Sequence, residues 1–199
     1  MTQRVKLSPR GSDELVARFR NLLLPLDATN SFRAGARPAA VTLLLFERGG
    51  EWRAPFVKRR SDLTDHPGQV GLPGGGVHPG EGAWHAAARE LEEEIGVRQP
   101  DIRPLGAGPR LYASVTNFEV APFVAVLSRR DPSFTLERGE LEALIEVPVQ
   151  RLLDPSAWLQ GPLPWPGRHL PVDGAEIWGL TSRLLDDLLP ALGAAFERP

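Results

Sequence analysis

Apolar positions along the chain change period several times, and each change predicts an element. Leu15, Phe19, Leu22, Leu23 and Leu26 follow helical spacing after the capping pair Ser12-Asp13 and meet Pro25, which predicts a short amphipathic helix. Residues 39–46 form a continuous apolar run with β-branched members, the pattern of a fully buried strand. Residues 47–51, containing Gly49-Gly50, turn the chain into a second strand at 52–58, so the two form a hairpin. Residues 59–81 are rich in Gly, Pro, His and Asp, and a helical pattern then runs from near Gly82 to Gly96. A long glycine-rich loop feeding a helix is a place where ligands bind. Residues 111–115 and 120–127 read as strands, the second marked by Pro122 as an edge or bulged strand. Residues 144–149 are a further strand, and 152–171, with five prolines and two tryptophans, show no regular pattern. Thr181 caps a last helix with Leu184, Leu185, Leu188 and Leu189 inward and Asp186 and Asp187 outward. No repeat or linker divides the chain. The expected organisation is an N-terminal helical extension over residues 1–36 packed on one domain of residues 37–199.

Composition narrows the function classes. The 199 residues carry 25 acidic against 23 Lys and Arg side chains, a net charge of −2, which argues against a nucleic-acid partner. Apolar residues make up 42% and charged residues 24%, ordinary for a globular chain able to bury a core. The absence of cysteine excludes disulfides, a zinc ribbon and a thiol nucleophile. The N-terminus lacks the run of ~7–15 apolar residues of a signal peptide, and no apolar run approaches the ~18–20 needed to cross a bilayer. A cytoplasmic location without a membrane partner is expected.

The chemistry concentrates on residues 86–95, AAARELEEEI. At about 100° per residue, Glu90, Glu93 and Glu94 share one face, Trp84, Ala88, Leu91 and Ile95 form an apolar stripe, and Glu92 points elsewhere. Like charges one turn apart cost about 0.2–0.5 kcal/mol each, and no cation is expected one turn away on that face. A positive species should therefore occupy it. Carboxylates without Cys or His make an oxygen-only site that suits Mg2+ or Mn2+. The alternative is a solvated charged face. Leu72-Pro73-Gly74-Gly75-Gly76 upstream favours the ligand site, because glycines let the backbone approach closely and aim N–H or C=O groups.

Residues 75–97, GGVHPGEGAWHAAARELEEEIGV, resemble the complete Nudix box, with matches at Gly75, Glu81, Arg89, Glu90, Leu91, Glu93, Glu94, Gly96 and Val97. The resemblance implies an α/β fold, a Nudix-type α/β/α sandwich with a central mixed β-sheet. It also implies divalent-metal-dependent hydrolysis of a nucleoside diphosphate linked to another group. By the same resemblance Glu90, Glu93 and Glu94 hold Mg2+ or Mn2+ with the Gly74 carbonyl, Arg89 orients a carboxylate, and Glu81 braces loop and helix. The general base is then either a box glutamate or one from a later loop. Glu140 is the best positional match, with Glu137 and Glu142 as alternatives.

Residues 59–75, RRSDLTDHPGQVGLPGG, resemble the signature of coenzyme A pyrophosphatases at Arg59, His66, Gly68, Gln69, Val70, Pro73, Gly74 and Gly75. Segments 120–124, 147–148 and 177–181 resemble that family too. The sequence departs from the signature at Arg60, where Ser or Ala is usual, at Thr64, where a second Arg is usual, and at Leu72, where Phe is usual. This resemblance implies cleavage of coenzyme A or its thioesters to 3′,5′-ADP and 4′-phosphopantetheine. Arg59, His66, Gly68, Gln69, Gly74 and Gly75 would then contact substrate. The alternative is a Nudix enzyme for ADP-ribose, dinucleotides or nucleoside triphosphates, and the complete carboxylate set speaks against a non-catalytic sensor. Read as residues alone, Lys58-Arg59-Arg60 is either a phosphate grip or a solvated strand end, and His66 and Gln69 either bind ligand or satisfy a turn. His78, His85 and His169 show no ligand spacing.

Overall fold

In the computed structural model, which describes residues 9–161 and 167–197, the apolar run becomes β1 (Arg37–Arg48), and its alternate side chains feed two cores. Ala40, Leu44 and Phe46 pack beneath α2 (Ala83–Ile95), whose Ala87, Ala88, Leu91 and Ile95 are buried there. Leu43 and Leu45 point the other way, toward Leu15 and Phe19 of α1 (Ser12–Phe19) and Leu185, Leu188 and Phe196 of α4 (Gly179–Glu197). A sheet covered by helices on both faces has no solvated side, which explains why β1 shows no polar alternation.

The register makes the sheet mixed. β7 (Phe118–Leu127) runs parallel to β1 from Arg37↔Phe118 to Leu45↔Val126. Beyond β7 lie β5 (Ile102–Ala107) and β6 (Leu111–Ala113), both antiparallel to it. On the other side of β1, β4 (Gly74–Gly76) pairs with its first half, and β2 (Glu51–Arg59) pairs with its end through the Gly49-Gly50 turn. Both glycines have positive φ, 57° and 80°, as the expected two-residue hairpin requires. β2 also pairs with β3 (Val70–Gly71) and β8 (Leu141–Pro148). The α/β/α arrangement around a mixed sheet is the one expected.

Several expectations need correction. α1 ends at Phe19, well before Leu26, because Asn21 takes a left-handed φ of 65°, and residues 26–29 form a separate 3-10 turn. Pro122 is in an interior strand. Its C=O accepts from the Gly108 N–H at 2.8 Å, so its missing donor faces the gap where β5 gives way to β6 and no ladder bond is lost. β5 itself was hidden by Pro104 and Gly106, the latter at an irregularity of the ladder. Thr181 lies inside α4 and donates its hydroxyl to the Val70 carbonyl at 3.2 Å instead of capping. Within 152–171, α3 (Val149–Leu153), β9 (Leu159–Gln160) and β10 (Arg168–Val172) are regular, and β9 and β10 form a small antiparallel sheet with β11 (Ala175–Ile177). Residues 1–8 of the expected extension, and Trp165 with its flanking prolines, lie outside the described residues. Among the described residues no helix is long and apolar enough to cross a membrane.

Leu15 is fully buried in the core shared with α4. Leu15→Ala should therefore cost about 2–5 kcal/mol in urea unfolding, within a single transition. A loss below about 1 kcal/mol would show that α1 is peripheral to that core.

Candidate active site

The loop before α2 is placed by two glycines with different duties. Thr42 N–H donates to the Pro73 carbonyl at 2.9 Å and Val77 N–H to the Pro38 carbonyl at 3.0 Å, so Gly74, opposite Val41, occupies a non-hydrogen-bonded position of the β1–β4 ladder. Its N–H and C=O are thus turned away from β1, and the N–H reaches Glu94 Oε2 at 2.9 Å. Gly74 has φ 151°, and a Cβ there would stand 2.3 Å from the Ala40 carbonyl oxygen. At Gly75 the intruder would meet the Glu90 carboxylate at 2.5 Å. One glycine lets the backbone hug β1; the other leaves room for an acidic side chain. At the far end of α2, Gly96 takes a left-handed φ of 71°, and its N–H and that of Val97 close the helix on Glu92 and Leu91.

Arg89 joins these parts. Its Nε donates to Glu81 Oε1 at 3.0 Å, its Nη1 to Glu90 Oε1 at 2.8 Å and Glu93 Oε2 at 2.9 Å, and its Nη2 to the Gly76 carbonyl at 2.9 Å and Glu81 Oε2 at 3.3 Å. This corrects the expectation that no cation serves the acidic face. On a helical wheel position 89 lies off that face, but the guanidinium is long enough to reach around, and it meets Glu93 one turn on. Glu81 also accepts the His78 N–H at 3.0 Å. Arg89 holds the Glu81 carboxyl below the usual carboxylate range.

Glu90 and Glu94 are strained electrostatically. Burial raises Glu90 above its ordinary value despite Arg89. Burial pushes Glu94 up to about 8, the Glu90 charge adding to it, while the Gly74 N–H and Arg59 oppose the shift. Among the described residues, Glu94 is thus a buried carboxylate with one backbone donor and no cation bonded to it. As the side chains stand, Glu90 and Glu93 turn to Arg89 and Glu94 to Gly74, and among the described residues no three acidic or imidazole groups converge on one point. The donor chemistry nevertheless fits a hard divalent cation: Glu90, Glu93, Glu94 and the Gly74 carbonyl are all oxygens, and two of the carboxylates lack enough positive charge to ionise comfortably.

Arg59, at the end of β2, also acts on this cluster through its charge at Glu94. The register of β2 against β8 shifts between Lys58 and Arg59, whose partners are Ala143 and Leu141, so Glu142 is the extra residue of a bulge. Lys58 pairs with Glu142 at 2.9 Å and Arg60 with Asp62 at 2.6 Å. Arg59 Nη1 pairs with Glu140 Oε2 at 3.2 Å, and its Nε donates to the Asp65 carbonyl at 3.3 Å. Glu137 accepts the N–H groups of Gly139 and Glu140. Of the three later glutamates, only Glu140 adds appreciably to the field at Glu94. His66, with φ 55°, faces Gln69 Oε1 through Nδ1 at 3.0 Å, and Gly68, with φ 67°, donates to the Arg60 carbonyl at 3.3 Å. These three residues shape the turn beside the cluster. The carbonyls of Gly76 and Asp65, which hold Arg89 and Arg59, escaped sequence reasoning, because a backbone acceptor leaves no mark in residue identity.

The NUDIX domain family matches residues 36–165. The chain belongs to the Nudix family. Its similarity extends to Nudix hydrolase 15, mitochondrial, of Arabidopsis thaliana, 28% identical over 193 residues that cover 91% of this chain and 66% of that protein. The uncharacterized Nudix hydrolase NudL of Cronobacter sakazakii is 29% identical over 198 residues, covering 96% of this chain and 98% of that one. The peroxisomal coenzyme A diphosphatase ndx-8 of Caenorhabditis elegans is 33% identical over 136 residues, 66% of this chain and 57% of that protein. The chain thus spans about two thirds or less of the plant and nematode relatives. Among solved structures, a Nudix hydrolase from M. smegmatis, RenU, superposes with a TM-score of 0.50 at 18% identity, covering 58% of this chain and 73% of that one, a likeness of fold.

The Glu94 environment of this Nudix domain has a consequence for stability. With a folded pKa of about 8 against 4.5 in the unfolded chain, the folded state binds the extra proton between those values, so this group's contribution to stability falls as pH rises through the window and levels off above it. In EDTA, the Tm of Glu94→Gln minus that of the unsubstituted protein should grow from about pH 5 to about pH 9. A difference independent of pH would contradict the buried, high-pKa carboxylate.

Proposed function

We propose that this Nudix domain hydrolyses the diphosphate bond of coenzyme A or its thioesters with Mg2+ or Mn2+, releasing 3′,5′-ADP and 4′-phosphopantetheine. The observation that carries the reading is the juxtaposition of an oxygen-only carboxylate cluster on α2 with the cation-bearing loop that starts at Arg59. Similarity to a protein named as a coenzyme A diphosphatase supports the substrate.

Glu90, Glu93, Glu94 and the Gly74 carbonyl would hold the metal, which when bound supplies an acidified water and neutralises charge on the diphosphate oxygens. Arg89 keeps Glu90 and Glu93 oriented by direct bonds, and the glycines give the loop its close approach. Among the described residues no partner meets Arg59 Nη2, which leaves a donor for a substrate phosphate. In-line attack of water on phosphorus breaks the P–O bond to the bridging oxygen. The water's proton passes to an exposed carboxylate, Glu93 or Glu140, with side chains 57% and 65% exposed. Thr64, where coenzyme A pyrophosphatases usually carry a second Arg, favours a second reading, a substrate such as ADP-ribose that lacks the 3′-phosphate.

Chromatography of the products should show 3′,5′-ADP and 4′-phosphopantetheine formed from coenzyme A in Mg2+ or Mn2+, and none in EDTA. Charged contacts to the 3′-phosphate contribute about 1.5–3 kcal/mol, so kcat/KM should fall ~10–150-fold for dephospho-coenzyme A. Full turnover in EDTA contradicts the metal reading, and faster turnover of ADP-ribose than of coenzyme A transfers the protein to the second reading.

A further inference from the structure

We propose, resting on the coenzyme A reading given above, that Arg37 is a specificity-determining residue whose guanidinium receives the 3′-phosphate of the substrate.

Arginines stacked on aromatic rings recur in this chain, and their other partners sort them. Arg48, Arg110 and Arg168 lie over the rings of Phe46, Phe32 and Trp158, and each also has a carboxylate: Glu146, Glu119 and Asp186 respectively. Arg37 lies over the Phe118 ring at 4.2 Å and Arg33 over the Tyr112 ring at 4.4 Å. Both are exposed, and among the described residues no carboxylate pairs with either guanidinium. A ring holds a guanidinium by its face and leaves the N–H groups at its rim free. Such a cation is oriented and still able to grip a phosphate with two donors at once.

The stack at Arg37 is fixed from both sides. The Arg37 N–H donates to the Asn117 carbonyl at 2.8 Å, and the Phe118 ring packs against the buried Ala39, Val120 and Leu184. Glu119, next to Phe118 along β7, points to the opposite face of the sheet, where it accepts the Arg33 N–H and lies 3.8 Å from Arg110. It therefore does not neutralise Arg37.

Strand register puts Arg37 beside the candidate site. Arg37 is two residues along β1 from Ala39, which pairs with Gly76, and four from Val41, which pairs with Gly74. At the rise of a strand these separations are ~7 and ~13 Å. Between them Pro38 accepts the Val77 N–H at 3.0 Å, and the Gly76 carbonyl accepts Arg89, which bonds Glu90 and Glu93. Arg33 reaches β6 instead, with β7 and β1 between that strand and β4. In coenzyme A one ribose separates the 3′-phosphate from the diphosphate. With the diphosphate at the Gly74 carbonyl, that ribose and an extended arginine side chain together span the ~13 Å back to Arg37.

Titration calorimetry in Mn2+ with 3′,5′-ADP and 5′-AMP, which differ only in the 3′-phosphate, reads this contact without turnover. The unsubstituted protein should prefer 3′,5′-ADP by ~10–150-fold, and Arg37→Ala should lower that preference about tenfold or more while changing 5′-AMP affinity less than about twofold. Arg37→Lys, which keeps the charge without the planar fork, should retain part of the preference, and Arg33→Ala should retain all of it. Both side chains are exposed, and unchanged circular dichroism melts would show that the variants fold. A preference unchanged in Arg37→Ala, an equal loss of both nucleotides, or the same loss in Arg33→Ala overturns this inference alone. An unsubstituted protein that does not prefer 3′,5′-ADP overturns the coenzyme A reading and the inference with it.

Discussion

The fork of hydrogen bonds from Arg89 is the constraint on which the rest of the site depends. Through one planar group it ties the loop glutamate Glu81, the carbonyl of Gly76 on β4, and two carboxylates of its own helix. A lysine could not replace it, because its ammonium has three donors on one atom and cannot span acceptors on both sides of the helix start. β4 in turn is held to β1, which contributes side chains to both cores, so the position of the carboxylates is referred directly to the packed centre of the fold. The glycines make that reference short: a side chain at 74 would strike β1 and one at 75 would displace Glu90.

Arg89 leaves the cluster negative. It serves Glu81, Glu90 and Glu93 at once, and among the described residues Glu94 has only a backbone N–H. Burying a carboxylate without a counter-charge is expensive, and proteins tolerate it where the missing charge arrives with a ligand. The cluster therefore has an energetic deficit, which the divalent cation proposed for it would relieve. Beside it, Arg59 adds positive charge and is matched by the exposed Glu140.

The parts of this design that side-chain identity encodes were legible in the sequence. The β1–β2 hairpin and the limits of α2 follow from apolar period, turn glycines and helical geometry. What escaped was set by tertiary context or by backbone atoms. Pro122 looks like an edge marker because nothing local reveals that β5 and β6 leave a gap opposite it. Leu22 and Leu23 keep helical spacing yet pack on the core after the helix has ended, since an apolar side chain can reach the same core from an irregular segment. Arg89 was misjudged as a neighbour because a wheel records where a side chain leaves the helix and not how far it reaches. Glu140 was legible as a candidate, but its bond to Arg59 depends on a bulge that one strand alone does not reveal.

If α2 and β4 hold the proposed cation, the raised pKa of the buried Glu94 makes proton release the signature of ion binding. Calorimetric titration of Mn2+ near pH 7, repeated in buffers of different ionisation enthalpy, counts the protons released per ion bound. With Glu94 at about 8, about one proton should leave with each ion bound, and Glu94→Gln should lose that release. Mn2+ binding that releases no proton, or a release that persists in Glu94→Gln, would exclude Glu94 as a protonated ligand of the ion.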